Sequence, residues 1–247
     1  MKYSMLEGKN IIVTGGNGLL GREICNDIRK KGGNAINFDI DHKDASEKNF
    51  VCDITNSESI TDSLSLVEHK YGVIHGLVNN AYPRTKDWGT TFEELSHNSL
   101  QTNVDWQMNS YLNFCKLIIP YFRKGGGGSV INMTSIYGVV GNDFNIYEGT
   151  EMEPPIAYSA IKGGLINATR FLASKYGKEG LRFNCISPGG IFDNQHATFV
   201  KAYEKKVPMR RMGNPSDIAP AVTFLLSEDA QYITGHNLIV DGGWTSI

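Results

Sequence analysis

Asn109, Ser135, Tyr158 and Lys162 follow one another through the middle of this 247-residue chain in an order suited to hydride-transfer chemistry. Tyr158 and Lys162 stand at i, i+4 in the stretch AYSAIKGGLINATRFLASKYG, whose pattern predicts an amphipathic helix. On a helix that spacing puts both side chains on one face, a turn apart. A phenol with an ordinary pKa of about 10 is a poor acid–base catalyst at neutral pH. A neighbouring ammonium favours the phenolate and is expected to lower that value. The pair is a candidate proton-transfer device. A second YxxxK match, Tyr82 to Lys86, contains Pro83 and sits in loop-like surroundings, which spoil its helical geometry.

The elements that must position these residues alternate along the chain. Short apolar runs at Asn10–Thr14, Ala35–Phe38, Ile74–Val78, Ser129–Met133, Arg182–Ser187 and Asn237–Val240 read as buried strands. Helical patterns lie between them, running to about Lys31, over Ser57–Tyr71, as one long helix over Leu100–Phe122, and around Tyr158. Alternating β and α with short connections predicts an α/β fold, a doubly wound parallel sheet with helices on both faces. No linker, repeat or shift in composition divides residues 1–247, so a single domain is expected. Two stretches, 142–155 and 191–212, break the alternation and are candidate substrate loops.

Thr14-Gly-Gly-Asn-Gly-Leu-Leu-Gly21 follows the first strand and opens the first helix. Glycines at 15, 18 and 21 permit a tight turn, close backbone approach to a pyrophosphate, and close helix–strand packing. The helix N-terminus offers N–H groups and a positive dipole end to phosphates. Asp39 ends the second strand 18 residues after Gly21, where a carboxylate accepts from a ribose 2′-OH and repels a 2′-phosphate. No Arg or Lys lies in the turn or directly after Asp39, so NAD is favoured over NADP. Asp53, after the run Val51-Cys52, is placed to meet the adenine from the third strand end.

Composition narrows the remaining classes. A net charge of −2 gives no electrostatic reason to expect nucleic acid or an anionic membrane as partner. The four cysteines (Cys25, Cys52, Cys115, Cys185) are widely spaced, without a CxxC pair, and read as buried or free thiols of a reducing compartment. Six scattered histidines form no HExxH or HxxxH pair, so no metal is expected. No apolar run approaches the ~18 residues of a membrane span, and Met1–Asn10 has no signal-peptide core. The expectation is a cytoplasmic protein acting on a small molecule.

The order of motifs is more specific than any one of them: the glycine turn, Asp39, Asp53, Asn79-Asn80-Ala81, Asn109, Ser135, Tyr158/Lys162, Pro188-Gly189 and Asp241-Gly242-Gly243. Over essentially the whole chain this resembles the short-chain dehydrogenase/reductase family, with its Rossmann fold. The resemblance implies that Tyr158 is the general acid–base, and that Lys162 lowers its pKa and binds the nicotinamide ribose. It implies that Ser135 bonds the substrate oxygen and that Asn109 holds a water relaying protons to Lys162. The implied cofactor-binding set is Gly15, Asn17, Gly18, Leu19, Leu20, Asp39, Asp53, Ile54, Asn80, Ala81, Tyr158, Lys162, Pro188, Gly189 and Ile191. The resemblance also implies a homodimer or homotetramer, and Trp244–Ile247 is a candidate subunit contact. Ser135 as a nucleophile is the competing reading, but the chain has no GxSxG elbow and no histidine base placed by sequence.

Three positions depart from the family pattern. The glycine spacing TGxxGxxG is that of the family's extended branch, with Leu19 where its shorter members have Gly. Asp193 stands in place of a frequent Thr, and Tyr82 replaces the last glycine of an NNAG segment. Ser135 and Tyr158 are 23 residues apart, more than is usual in the family, and the excess falls in 142–155. That stretch combines Phe144 and Tyr147 with Asp143, Glu148, Glu151 and Glu153, which suits a polyhydroxylated or amino-bearing ligand. Lys201, Lys205, Lys206, Arg210 and Arg211 in the second irregular stretch are either a site for an anion or a solvated helix face. The phrase from Phe144 to Thr150 with Pro155, Tyr158 and Ala160–Gly163 resembles oxidoreductases of flagellin modification and legionaminic-acid-type (nonulosonic) sugar synthesis. The reading is an NAD(H)-dependent alcohol–ketone oxidoreductase on an amino-sugar or sugar phosphate. The alternatives are a 3-oxoacyl carrier-protein reductase and a catalytically silent NAD sensor.

Overall fold

The computed structural model describes residues 4–41 and 48–247; Met1–Tyr3, at the start of the leader window read above, lie outside the described residues. The chain runs β1 (Asn10–Thr14), α1 (Leu19–Lys30), β2 (Asn34–Asp39), β3 (Asn49–Val51), α2 (Ser57–Tyr71) and β4 (Gly76–Asn79). It continues through α3 (His97–Val104), α4 (Ser110–Gly125), β5 (Gly128–Met133), α5 (Ile156–Tyr176), β6 (Leu181–Pro188), α6 (Ala197–Lys206), α7 (Pro215–Leu226) and β7 (Asn237–Val240). Among the described residues seven parallel strands form one sheet in the order β3-β2-β1-β4-β5-β6-β7. The order reverses between β1 and β4, which is where a Rossmann sheet opens its nucleotide crevice.

Alternation along the strands decides which helices cover which face. Ile11 and Val13 of β1, with Ile131 and Met133 of β5, pack under α1 and α7. Ile12, Leu77, Val130 and Phe183 point the other way, into a core closed by α2, α4 and α5. A third, smaller cluster joins the two irregular stretches, with Ile146 from the first and Phe199, Tyr203, Val207 and Met212 from the second. All four cysteines are free and buried. Burial pushes the thiols of Cys25 and Cys185 up to about 11 and Cys115 up to about 12, which makes them inert at neutral pH. Among the described residues no helix is long and apolar enough to cross a membrane.

Three expectations change here. The long helix expected over Leu100–Phe122 is α3 and α4 joined by a π-helical turn, Asp105–Asn109. Helix α7 was not anticipated, although its signals are local: Pro215 stands in the first turn and Asn214 and Asp217 form a capping box. Trp244, expected at a subunit contact, is 3% exposed and stacks on Tyr203 of its own chain, ring centroids 4.6 Å apart.

Candidate active site

The cofactor end of the cleft is built by the β1–α1 turn. Gly15 has φ +65°, and a Cβ there would lie 2.8 Å from the Ala81 Cα, so this crossing of backbones needs glycine. A Cβ on Gly21 would collide with the Gly15 carbonyl, which draws α1 tight against the turn. Helix α1 starts without a side-chain cap and without an acid in its first turn, leaving an N-terminus suited to an anion. Asp39 reaches over this turn: Oδ2 accepts from the Asn17 N–H at 3.0 Å and Oδ1 from the Ile40 N–H at 2.8 Å. Asn80 closes the floor, donating to the carbonyls of Thr14 (3.0 Å) and Gly15 (3.2 Å), while Thr14 Oγ1 accepts from the Asn80 and Ala81 N–H groups. This cradle of glycines, an uncapped helix end and a carboxylate fits a dinucleotide that carries a free ribose 2′-OH.

The other expected cofactor residues divide. Gly18 and Leu19 are exposed at the start of α1, and Leu20 packs partly on the α1/α7 core. Asp53 is exposed and its Oδ1 accepts from the Thr55 N–H and hydroxyl. The Ile54 side chain is buried in the core, which leaves its backbone as the part able to meet a cofactor. Pro188 ends β6, and Gly189 and Ile191 line a cavity of about 170 Å³ with Tyr203 and Asp241. Asp193 is exposed. A larger cavity of about 690 Å³ lies at the opposite ends of the strands, around Gly125–Gly128, remote from this chemistry.

The catalytic end gathers three of the four expected side chains. Ser135, just past β5, is buried; its Oγ accepts from the Tyr137 N–H at 3.2 Å and lies near enough to Tyr158 to act on its phenol. Tyr158 and Lys162 share the buried face of α5. Lys162 is 4% exposed, and its Nζ donates to the Met133 carbonyl at 2.9 Å and lies 5.4 Å from the Tyr158 ring centroid. Burial holds Lys162 down at about 8, opposed by Cys185. Burial also raises the Tyr158 phenol above its ordinary value, Ser135 pulls it back, and Tyr147 pushes it up. The expected lowering of Tyr158 by Lys162 is therefore not what this site shows: desolvation sets the direction of the shift.

Asn109 is the fourth, and the structure corrects it. Its side chain is exposed and donates to Asp105 Oδ1 at 3.1 Å. The π turn carries one residue more than an α turn, and this rotates Gln107, rather than Asn109, into the interior.

Around Tyr158 stand aromatic rings that the sequence only half disclosed. Tyr82 and Trp88 meet it edge-on at 5.7 and 6.3 Å, and each other at 5.7 Å. Their loop is tied to α3, where Asn103 Oδ1 accepts from the Thr85 N–H and Ser99 donates to Asp87 at 2.8 Å. Tyr147, from the first irregular stretch, is near enough to act on the Tyr158 phenol and shares a hydrogen bond with Tyr137 at 3.1 Å. Trp88 lies within the nonhelical YxxxK decoy's surroundings, and its proximity to Tyr82 carried no spacing signal. The basic run is largely committed elsewhere: Lys206 pairs with Asp143, Arg211 forks onto Asp217, and Arg210 donates to the Lys205 carbonyl.

Comparison with known proteins agrees with this geometry. A family model described as enoyl-(acyl carrier protein) reductase matches residues 20–245. The post-translational flagellin modification protein A of Campylobacter coli is 33% identical over 254 residues, covering 97% of this chain and 99% of that one. A short-chain dehydrogenase of Leptospira borgpetersenii, solved with bound NAD+, superposes with a TM-score of 0.89 at 32% identity, covering 98% and 94%. The ligand-free aldohexose dehydrogenase of Thermoplasma acidophilum gives 0.86 at 27% identity, covering 99% and 97%. This chain belongs to the short-chain dehydrogenase/reductase family and is an NAD(P)-dependent oxidoreductase.

Proposed function

We propose that this enzyme uses NAD(H) to interconvert a secondary alcohol and a ketone on an amino-sugar or sugar-phosphate intermediate of surface-glycan synthesis, of the nonulosonic or flagellin-modifying kind. The observation that carries the substrate class is the aromatic enclosure of Tyr158 by Tyr82, Trp88 and Tyr147, with Glu153 close to Tyr147. Aromatic faces take the apolar face of a sugar ring, and acids take its hydroxyl or amino groups. The flagellin-modification and aldohexose relatives support the same reading. Asp39, held over the glycine turn, supports NAD over NADP.

Bound NAD supplies the carbon that gives or takes the hydride. The chain's own residues do the rest. Asp39 would accept from the adenosine ribose, Lys162 from its place near Tyr158 would hold the nicotinamide ribose, and Ser135 would bond the substrate oxygen. Tyr158 takes the alcohol proton in oxidation and returns it in reduction, with Ser135 and Tyr158 stabilising charge that develops on that oxygen. The enzyme is a single domain whose substrate loops are 142–155 and 191–212. It works in the cytoplasm as a homodimer or homotetramer; the 64% exposure of Phe171 on α5 supports self-association.

NADH oxidation measured against a panel of keto-sugar phosphates, keto-amino-sugar nucleotides and 3-oxoacyl thioesters tests this assignment. Turnover of a sugar is the expected result; turnover of thioesters alone makes the enzyme an acyl reductase, and turnover of nothing in the panel removes the sugar assignment. On the accepted sugar, Tyr82→Ala or Trp88→Ala is expected to raise KM about 10-fold, equal to ~1.4 kcal/mol, with kcat within a few-fold. An unchanged KM in both variants would take the wall out of substrate binding.

A further inference from the structure

The two stretches that break the alternation of strands and helices are fastened to each other. Asp143 caps a short 3₁₀ turn, Phe144–Tyr147, its Oδ1 accepting from the Asn145 N–H at 3.1 Å and from the Asn145 side-chain amide at 2.8 Å. Its Oδ2 takes the ammonium of Lys206, the last residue of α6. That ammonium also lies over the Trp244 ring, 4.4 Å from its centroid. Between these points the stretches share apolar contact: Tyr147 meets Phe199 with ring centroids 5.2 Å apart, and Ile146 is buried in the same cluster.

Each stretch touches a different half of the cleft. From the first, the Tyr147 hydroxyl is bonded to that of Tyr137, two residues past Ser135, and Tyr147 is near enough to act on Tyr158. From the second, Tyr203 stacks on Trp244, and its hydroxyl accepts from the Gly190 N–H at 2.6 Å, between Gly189 and Ile191 of the implied cofactor set. The backbone on either side of α6 is strained. Asn194 before it (φ +59°) and Arg210 after it (φ +56°) are the two non-glycine residues at positive φ among the described residues. Such angles persist only where the surroundings fix them, so α6 calls for a fastening outside its own segment. We propose that Asp143 and Lys206 are positioning residues, an ion-pair latch that holds 142–155 and α6 as one wall across the cleft. Through it Tyr147 stays at the proton-transfer tyrosine while Tyr203 stays on the cofactor segment, so the two sides of the cleft are shaped together. The side chains of Lys206 and Asp143 are only 33% and 20% exposed, which shields the pair from solvent more than an open surface pair. This rests on the roles given above to Tyr158 and to the two substrate loops.

Trypsin reads the latch without substrate, because α6 and the loop after it carry Lys201, Lys205 and Arg210. Wild type, Asp143→Asn, Lys206→Met and Lys206→Arg are digested under native conditions, and cleavage at each site is followed by mass spectrometry. Asparagine keeps the oxygen that caps the turn, so Asp143→Asn is expected to fold with an unchanged melting temperature. Cleavage at the three sites follows the population of the open form, and it should rise about 5-fold in Asp143→Asn and Lys206→Met while Lys206→Arg stays near wild type. The double variant Asp143→Asn/Lys206→Met should cut no faster than Lys206→Met alone. On an accepted substrate, Asp143→Asn raises KM about 5-fold and leaves kcat within roughly two-fold. Wild-type rates at the three sites in Asp143→Asn overturn the proposal. Acceleration spread over the whole chain overturns it too, since that is general destabilisation. The digestion needs no turnover, so its failure is separable from failure of the sugar assignment, which the substrate panel reports.

Discussion

Replacing Tyr158 by Phe is expected to lower turnover by about 10³–10⁴-fold while cofactor affinity stays within a few-fold of wild type. The change removes one oxygen and leaves the ring in its setting against Tyr82 and Trp88. What disappears is the hydroxyl that carries the substrate proton and that Ser135 acts on. Stability should move by no more than ~1 kcal/mol, because a single hydrogen bond contributes about that much. The wild-type pH dependence follows from the raised phenol. At neutral pH the resting group is the neutral phenol, the acid that ketone reduction needs. Reduction is expected to fall and alcohol oxidation to rise as the pH climbs toward ionisation of that phenol. Steady-state rates in both directions, with cofactor binding followed by fluorescence, check these points. Appreciable turnover by Tyr158→Phe would mean that another group moves the proton.

Lys162→Met should abolish activity to a similar degree and yet raise thermal stability. Burial holds Lys162 at about 8 against an ordinary 10.5, so its charged form is disfavoured in the fold. At pH 7 a difference of this size corresponds to ~3 kcal/mol against the folded state. Methionine fills a similar volume without a charge, and it gives up the bond to Met133 and the contacts with three rings. A net gain of ~1–3 kcal/mol, or a rise of several degrees, is expected at pH 7. The sign of the linkage adds a second check. Between about pH 8 and 10.5 the unfolded chain still binds the proton that the folded chain has released, so wild type gains stability relative to the variant as pH rises. Thermal unfolding of both proteins at pH 7 and pH 10 reads this. A variant less stable than wild type at pH 7 would show that the Met133 bond and ring contacts outweigh the buried charge.

Local patterns carried much of the fold. Strands β1 and β7 and helix α2 occupy the residues their apolar runs and periodicity delimit: β1 is a continuous buried run, β7 a half-buried edge strand, and α2 buries one face at helical spacing. The Tyr158–Lys162 pair was legible for the same reason: spacing on one helix fixes relative position. Spacing fails where a helix changes pitch. One added residue in the π turn leaves the composition of Leu100–Phe122 helical but rotates Asn109 outward and Gln107 inward. The Trp88–Tyr82–Tyr158 contact joins one loop and a helix through tertiary packing, for which no sequence period exists. Desolvation is likewise a property of the assembled site. The i, i+4 ammonium was visible in the sequence, but the burial that raises Tyr158 and lowers Lys162 was not.

Thermal unfolding of the wild-type protein, titrated separately with NADH and NADPH, tests the central claim most directly. Asp39 held over the glycine turn predicts binding of NADH. At ~100 times its dissociation constant the ligand should add about 2.7 kcal/mol, a rise of roughly 5–10 °C, and NADPH at the same concentration should leave the midpoint in place. A larger rise with NADPH would contradict the assignment of Asp39, and no rise with either would contradict an NAD(H)-dependent oxidoreductase.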